Sequence, residues 1–395
     1  MRTAEIETII DWLIDGARSA PIPTLMMAET CERIVAAGLP LWRVGIFIRT
    51  LHPDIIGRNF IWRPGAEVVV GAASFDIQDS EQFRTSPLAI VFKTGQEVRW
   101  RLDDPEITRI PFFDDMRAEG VTDYIVLPLL FVDGSIHASS WTTKHPGGFS
   151  DDQLEALKTL VVPMSRLIEI IGLRRTATIL LDTYVGNRAG ERILAGQIRR
   201  GHTESMLAAI WLSDLRGFTG LSDRLPPETV VEILNYYFDC QVRAILAQGG
   251  EVLKFMGDGL LAVFPIAQHG GETADVCERV LEAARQSRAS VEALTYVSGV
   301  DTQERFRFGL ALHVGKVLYG NIGGGNRLDF TCIGPAVNLA ARLEKIAGKL
   351  NRTVVASAAF SETCAGQWTD LGEFPIAGFS KAERVYGLTD EDGVA

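Results

Sequence analysis

Cysteine is scarce in this chain: five in 395 residues, Cys31, Cys240, Cys277, Cys332 and Cys364, with no CxxC spacing among them. That scatter excludes a disulfide framework and a cysteine-ligated zinc site, and fits reduced thiols in the cytosol. Excess positive charge is lacking too. There are 39 Lys and Arg against 50 Asp and Glu, a formal net charge of −11. A surface that neutralises nucleic-acid phosphates needs clustered cations, so no nucleic-acid partner is expected. Basic runs such as Arg174-Arg175 and Arg199-Arg200 are short and read as solvated helix faces. Long hydrophobic runs are also missing. Tyr124–Val132 and the charge-interrupted Leu160–Ile171 are too short or too charged to cross a bilayer. The first sixteen residues, MRTAEIETIIDWLIDG, mix acids into their apolar positions as an amphipathic helix does and a signal peptide does not. The expectation is a soluble cytoplasmic protein without a membrane segment.

What is present is apolar material for more than one core. With 47% hydrophobic residues over this length, two or three domains are expected. Residues 1–153 carry helical periodicity at Ile6–Ala17 and Leu25–Ala37, then strand-like Trp42–Thr50 and Phe60–Gly65. Asp123–Gly134 and Ser135–Lys144 follow as two strands about an Asp133-Gly134 turn, and Ser150-Asp151-Asp152 caps a departing helix. This order resembles the GAF family of sensory domains, which implies an α+β module receiving a small-molecule or protein signal. Trp62, Phe83, Phe112, Phe113, His137 and Trp141 are the residues available to line a pocket there. Aromatic side chains bury well without a ligand, so core and rim positions are the preferred reading of them.

From Leu154 the apolar positions Leu154, Leu157, Val161, Met164, Ile168 and Ile171 alternate steps of three and four. This seam suits either a helix packed on its own domain or a dimeric coiled coil, and Pro163 inside it is a potential kink. Residues 154–202 together read as a helical connector. Beyond them, residues 203–395 alternate strands with helices, an α/β layer on a mixed sheet.

Two stretches in that last part carry chemistry. In Glu251–Pro265, EVLKFMGDGLLAVFP, two apolar runs flank Gly257-Asp258-Gly259, a strong hairpin signal with Asp258 at the tip. Asp214 ends the apolar run Met206–Leu212 and opens SDLRGFTGLS, which carries two glycines. Two aspartates at strand ends beside a glycine-bearing turn offer oxygen ligands to a hard divalent cation and backbone N–H groups to a triphosphate. Further on, Asn338 and Arg342 sit four apart on one face of a helix that starts at Pro335, beside an apolar stripe of Leu339, Leu343 and Ile346.

Four segments, 213–223, 249–264, 312–323 and 327–344, together resemble the catalytic domain of class III adenylate and guanylate cyclases, in order and spacing. The resemblance spans about residues 203–390 and implies a ferredoxin-like palm fold. It implies that Asp214 and Asp258 bind two Mg²⁺ or Mn²⁺ ions, that amides around Arg216, Gly217, Phe218 and Thr219 cradle phosphates, and that Arg342 stabilises charge on the α-phosphate while Asn338 positions the ribose. Lys254 and Thr331 fall at the two base-reading positions. A lysine only donates, which suits adenine N1, and the threonine hydroxyl accepts from the N6 amino group; guanylate cyclases have an acidic residue at the first position. The Thr variant is typical of a bacterial-type subgroup, some of whose members respond to bicarbonate. Where some members carry a phosphate-binding lysine the match is to Ala377, with Lys381 nearby as a substitute. The family's sites form between two catalytic domains, so the resemblance implies a homodimer with two shared sites and ATP as substrate. The rivals are a guanylate cyclase, opposed by Lys254, and a catalytically silent sensor, opposed by the complete set of catalytic side chains.

Overall fold

The computed structural model describes residues 3–104, 107, 110–266, 273–297, 303–325 and 327–391. The sequence reads as a turn at Gly323-Gly324-Gly325-Asn326 and as a helix from about Gly271 to Val297; Asn326, Gly271 and Glu272 lie outside the described residues, and the helix ends at Glu292, before a short strand. The chain divides into two compact units, Met1–Leu180 and Leu181–Ala395.

In the first unit, helices α1 (Thr3–Ile14) and α2 (Pro23–Ala36) precede strands β1 (Arg43–Arg49), β2 (Gly57–Trp62) and β3 (Val69–Ala73). Two short helices, α3 (Glu81–Arg84) and α4 (Pro87–Thr94), lead to β4 (Val98–Arg101), α5 (Asp114–Ala118), β5 (Asp123–Leu130) and β6 (Ile136–Thr143). The strands form one antiparallel sheet in the order β3-β2-β1-β6-β5-β4. Apolar side chains on both sheet faces explain the near-continuous burial of β5 and β6: one core joins the sheet to α1, α2 and the last helix, the other to α4 and Phe113. Trp62, Phe113 and Trp141 are buried in these cores, with Phe83 and Phe112 packed at the second, so the aromatics serve as core.

The departing helix, α6 (Asp151–Val185), starts on a capping box. The Gln153 amide donates to Ser150 Oγ (3.3 Å) while Gln153 Oε1 accepts from the Ser150 amide (3.0 Å). It runs unbroken through Pro163. Its stripe of Leu154, Leu157, Val161, Met164 and Ile168 belongs to the first unit's core, so this helix packs on its own domain over that stretch. The division between units therefore falls inside α6, at 180/181, and not at 153, because burying this stripe ties the helix's first five turns to the sheet before it.

In the second unit α7 (Asn187–Leu194) precedes the long strand β7 (Thr203–Leu215), then α8 (Phe218–Ser222), α9 (Pro227–Ala247), β8 (Glu251–Met256), β9 (Gly259–Pro265) and α10 (Thr273–Glu292). A small pair, β10 (Thr295–Val297) and β11 (Gln303–Arg305), leads into β12 (Phe308–Gly324), β13 (Arg327–Ile333), α11 (Pro335–Lys349), β14 (Val354–Ser357), α12 (Ala358–Ser361), β15 (Trp368–Phe374) and β16 (Glu383–Leu388). The main sheet has the order β15-β16-β14-β12-β7-β9-β8, with β13 added to β12. It is mixed: β12 pairs β14 in parallel and the other pairings are antiparallel. The architecture is thus α+β in both units. All five cysteines are free thiols. Among the described residues no helix is long and apolar enough to cross a membrane.

Candidate active site

The site begins at the paired ends of β7 and β9. Register places Asp214 opposite Gly259, and the Leu215 amide donates to the Asp258 carbonyl (3.3 Å), so the hairpin turn is stitched to the end of β7. Gly257 holds a left-handed φ of 66° in that turn, a conformation that disfavours a side chain. At Gly259 the backbone runs close to its neighbours, since a Cβ there would lie 3.1 Å from the Ser213 carbonyl oxygen and 3.3 Å from that of Met256. The two carboxylates meet. Burial, a side-chain hydrogen bond with Asp258 and the Asp258 charge push the Asp214 carboxyl up to about 7.

Two carboxyl groups forced together in this way are a donor set that a hard divalent cation relieves, with remaining coordination positions for water or substrate oxygens. Asp214 and Asp258 therefore fit the metal role. Among the described residues no group of three or more His, Cys, Asp or Glu side chains is arranged to hold an ion.

Behind β7 lies a buried polar support. Gln241 Oε1 on α9 accepts from Ser213 Oγ (2.6 Å) and from Trp211 Nε1 (3.2 Å). Beside it Tyr237 is fully buried, and burial holds its hydroxyl well above the usual phenol range. These residues fix the strand that carries Asp214.

The turn after Asp214 departs from expectation at one residue. The Arg216 amide already donates to the Arg307 carbonyl (2.8 Å), so it is not available to a phosphate. Gly217, in the left-handed region at φ 74°, then starts α8, whose first-turn amides at Phe218 and Thr219 have no carbonyl of their own helix to bond. The Arg216 side chain turns away from a cradle as well. Its guanidinium pairs with Glu344 of α11, with Nη1 2.8 Å from Oε1 and Nη2 donating to the Glu344 carbonyl at 3.3 Å. The Glu344 side chain is 7% exposed and that of Arg216 27%. Burial raises the Glu344 carboxyl, with Arg216 opposing. Gly309 and Gly348 make room for the guanidinium, which lies against both. Sequence reasoning missed Glu344: it lies two residues past Arg342, and only the tertiary fold shows that it faces Arg216.

The two nucleobase candidates lie on different strands. Thr331 on β13 is buried and its Oγ1 has no hydrogen-bond partner, an orphaned group of the kind that a bound ligand satisfies. Lys254 on β8 lies close enough to the neighbouring Cys332 for its charge to act on that thiol, which burial nonetheless pushes up to about 12. Lys254 also lines a cavity of about 650 Å³ with Glu251, Phe255 and Arg188. Nearby, Tyr319 donates to Glu251 Oε1 (2.7 Å), with Arg188 and Arg192 over its ring.

Asn338 and Arg342 are both exposed. Both lie on α11 away from the core, whereas Glu344, about 200° round the helix from Arg342, is the residue on that helix whose charge reaches Asp214 and Asp258. Lys381 is exposed in the loop before β16.

Residues 202–389 match the family model described as the adenylate and guanylate cyclase catalytic domain. An adenylate cyclase of Anabaena cylindrica is 29% identical over 202 residues, 49% of this chain and 38% of that protein. Adenylate cyclase 1 of Rhizobium meliloti is 32% identical over 178 residues, 43% of this chain and 25% of its own length. The adenylyl cyclase CyaB from P. aeruginosa, a solved structure, aligns with 48% of this chain and 96% of its own at 25% identity and a TM-score of 0.40. The chain spans less than half the length of these curated relatives. By family model and by relatives, the stretch from 202 to 389 is matched to the class III adenylate and guanylate cyclase catalytic domain.

Proposed function

We propose that this protein is an adenylate cyclase, converting ATP to 3′,5′-cyclic AMP and pyrophosphate in sites shared by two copies of the chain, under the control of a GAF-like N-terminal unit. The observation that carries the reading is the meeting of Asp214 and Asp258 at the ends of β7 and the β8–β9 hairpin; Lys254, Thr331, Asn338 and Arg342 come to them from the other copy. Asp214 and Asp258 hold two divalent cations, Mg²⁺ or Mn²⁺. When bound, these supply Lewis-acid chemistry, lowering the pKa of the ribose 3′-hydroxyl and neutralising triphosphate charge. First-turn amides of α8 orient the phosphates. Arg342 stabilises charge developing on the α-phosphate as the 3′-oxygen attacks and pyrophosphate leaves, and Asn338 holds the ribose.

Lys254 and Thr331 select adenine. The ammonium donates to N1 and cannot accept from a guanine N1–H, while the unpartnered Thr331 hydroxyl accepts from the N6 amino group. Lys254→Glu is expected to cut ATP turnover far more than GTP turnover; equal losses on both substrates would remove the basis for the base assignment. The placing of Asn338 and Arg342 on the face of α11 away from Glu344 supports the shared site, because a second copy is then needed to bring them to a nucleotide held at the aspartates.

A further inference from the structure

We infer that the cavity on the helical face of the first unit's sheet binds a small amphiphile with a single carboxylate on an apolar chain, the class of the medium-chain fatty acids. The inference concerns a site apart from the cyclase residues and does not depend on the catalytic reading. The cavity holds about 600 Å³, within the size range of small-molecule sites. Its floor is a patch of paired strand residues: register sets Ile46 opposite Phe60 and Ile48 opposite Arg58, all four lining it. Met26 and Met27 of α2 and Ile168 and Ile171 of α6 make apolar walls. An apolar chain entering here is removed from water, which favours its binding.

Charge at this cavity is unbalanced in one direction. Arg58, half-buried, and Arg175, exposed at the mouth, line it, and among the described residues neither guanidinium has a carboxylate partner. Arg58 Nε is buried with nothing to donate to, and Thr50 Oγ1, also lining the cavity, is buried without a partner. Burial, joined by repulsion from Arg58, lowers the Arg175 value from its ordinary one. The other charged or titratable groups there are already occupied or neutral. Glu169 accepts from the Val132 amide (2.8 Å) and pairs with Arg166 (3.0 Å); Asp133 accepts from the Ser135 amide (2.8 Å). Arg49 stacks on the Phe92 ring, 4.9 Å from its centroid. His137 accepts at Nδ1 from the Arg49 amide (3.0 Å), leaving its other nitrogen to bond Ser135 (3.1 Å), and burial drives its value down to about 4, so it is uncharged at neutral pH. What the cavity lacks is one anion with acceptor oxygens for Arg58, Arg175 and Thr50, attached to a chain that fills the apolar part. A planar carboxylate matches a guanidinium in two parallel hydrogen bonds.

The experiment is titration calorimetry of the full-length chain with decanoate, decan-1-ol and inorganic phosphate. Decanoate is expected to bind saturably, one per chain, at least tenfold tighter than decanol, with no binding of phosphate. Arg58→Gln and Arg175→Gln are each expected to weaken decanoate about tenfold, the low end for a charge-assisted hydrogen bond, and to leave decanol unchanged. Ile171→Trp, which fills the cavity, is expected to abolish both, with an unchanged melting curve as its control. Equal affinity for decanoate and decanol, indifference to both arginine variants, or phosphate binding as tight as decanoate would overturn the inference. So would failure of decanoate to bind the unsubstituted chain together with splitting of its dimer by Ile171→Trp in sedimentation, since a second copy would then be the occupant.

Discussion

Arg216 shows how one residue can change its meaning between a motif and a fold. As part of SDLRGFTGLS it borders a phosphate cradle, yet its amide is held by Arg307 and its guanidinium by Glu344. It is a tie between the loop after Asp214 and helix α11. Removing one member of a largely buried ion pair leaves the other uncompensated, so Arg216→Ala is expected to destabilise the protein by about 3 kcal/mol, and Arg216→Met with Glu344→Leu by much less. Urea denaturation of the variants checks this; a double variant no better than the single would show that the pair is not coupled. Two histidines give a pH signature. Burial lowers both His137 and His313 to about 4 from an ordinary 6.5. Between those values the unfolded chain binds protons that the folded chain does not. Their contribution is therefore complete above pH 6.5 and lost as pH falls toward 4. The drop in melting temperature from about pH 7 to about pH 5 is expected to shrink in His313→Gln, whose parent Nδ1 bonds Ser357 Oγ (2.8 Å), and an undiminished drop would contradict it.

At the scale of elements, α6 and the β8–β9 hairpin carry the clearest expectations. Leu157 is fully buried in the first unit's core while Val162, five residues on, is 60% exposed. Leu157→Ala should cost about 2–5 kcal/mol and Val162→Ala less than about 0.5 kcal/mol by chemical denaturation. Comparable losses would mean that α6 presents a different face to the sheet. In the hairpin, Gly257→Ala should cost about 1 kcal/mol or more for its left-handed φ and lower activity by moving Asp258. The hairpin was legible because an Asp-Gly turn between apolar runs is a local signal, β5 and β6 were legible for the same reason, and β1 by its apolar run. Strands β3 and β4 were not: Val69–Ala73 is largely exposed and Val98–Arg101 alternates apolar with basic residues at half-burial, so neither has the pattern of a buried strand. The seam of α6 was visible, but a period of three and four cannot tell a partner helix from the chain's own sheet. Among the candidate site residues, the local pattern pointed to Asp214 and Asp258, which the structure brings together, whereas Lys254 and Thr331 were named through the resemblance alone. The site was not legible where the partner is distant in sequence, as for Glu344 with Arg216 or Gln241 with Ser213.

Over the whole molecule, the proposed shared site makes assembly part of the chemistry. Arg342→Ala is expected to lower kcat by about 10²–10³-fold, the loss typical of one preorganised charge-stabilising group. Mixing Asp214→Ala with Arg342→Ala chains should restore one site per heterodimer, and no recovery in verified heterodimers would count against a shared site. The most direct measurement is cyclic nucleotide formation by the purified full-length chain from ATP and from GTP, with Mg²⁺ and with Mn²⁺, beside Asp258→Ala. The expected result is 3′,5′-cyclic AMP from ATP, little product from GTP, and none from the variant. Cyclic GMP as the main product, or no product with either metal from a folded and dimeric chain, would contradict an adenylate cyclase built on Asp214, Asp258 and Lys254.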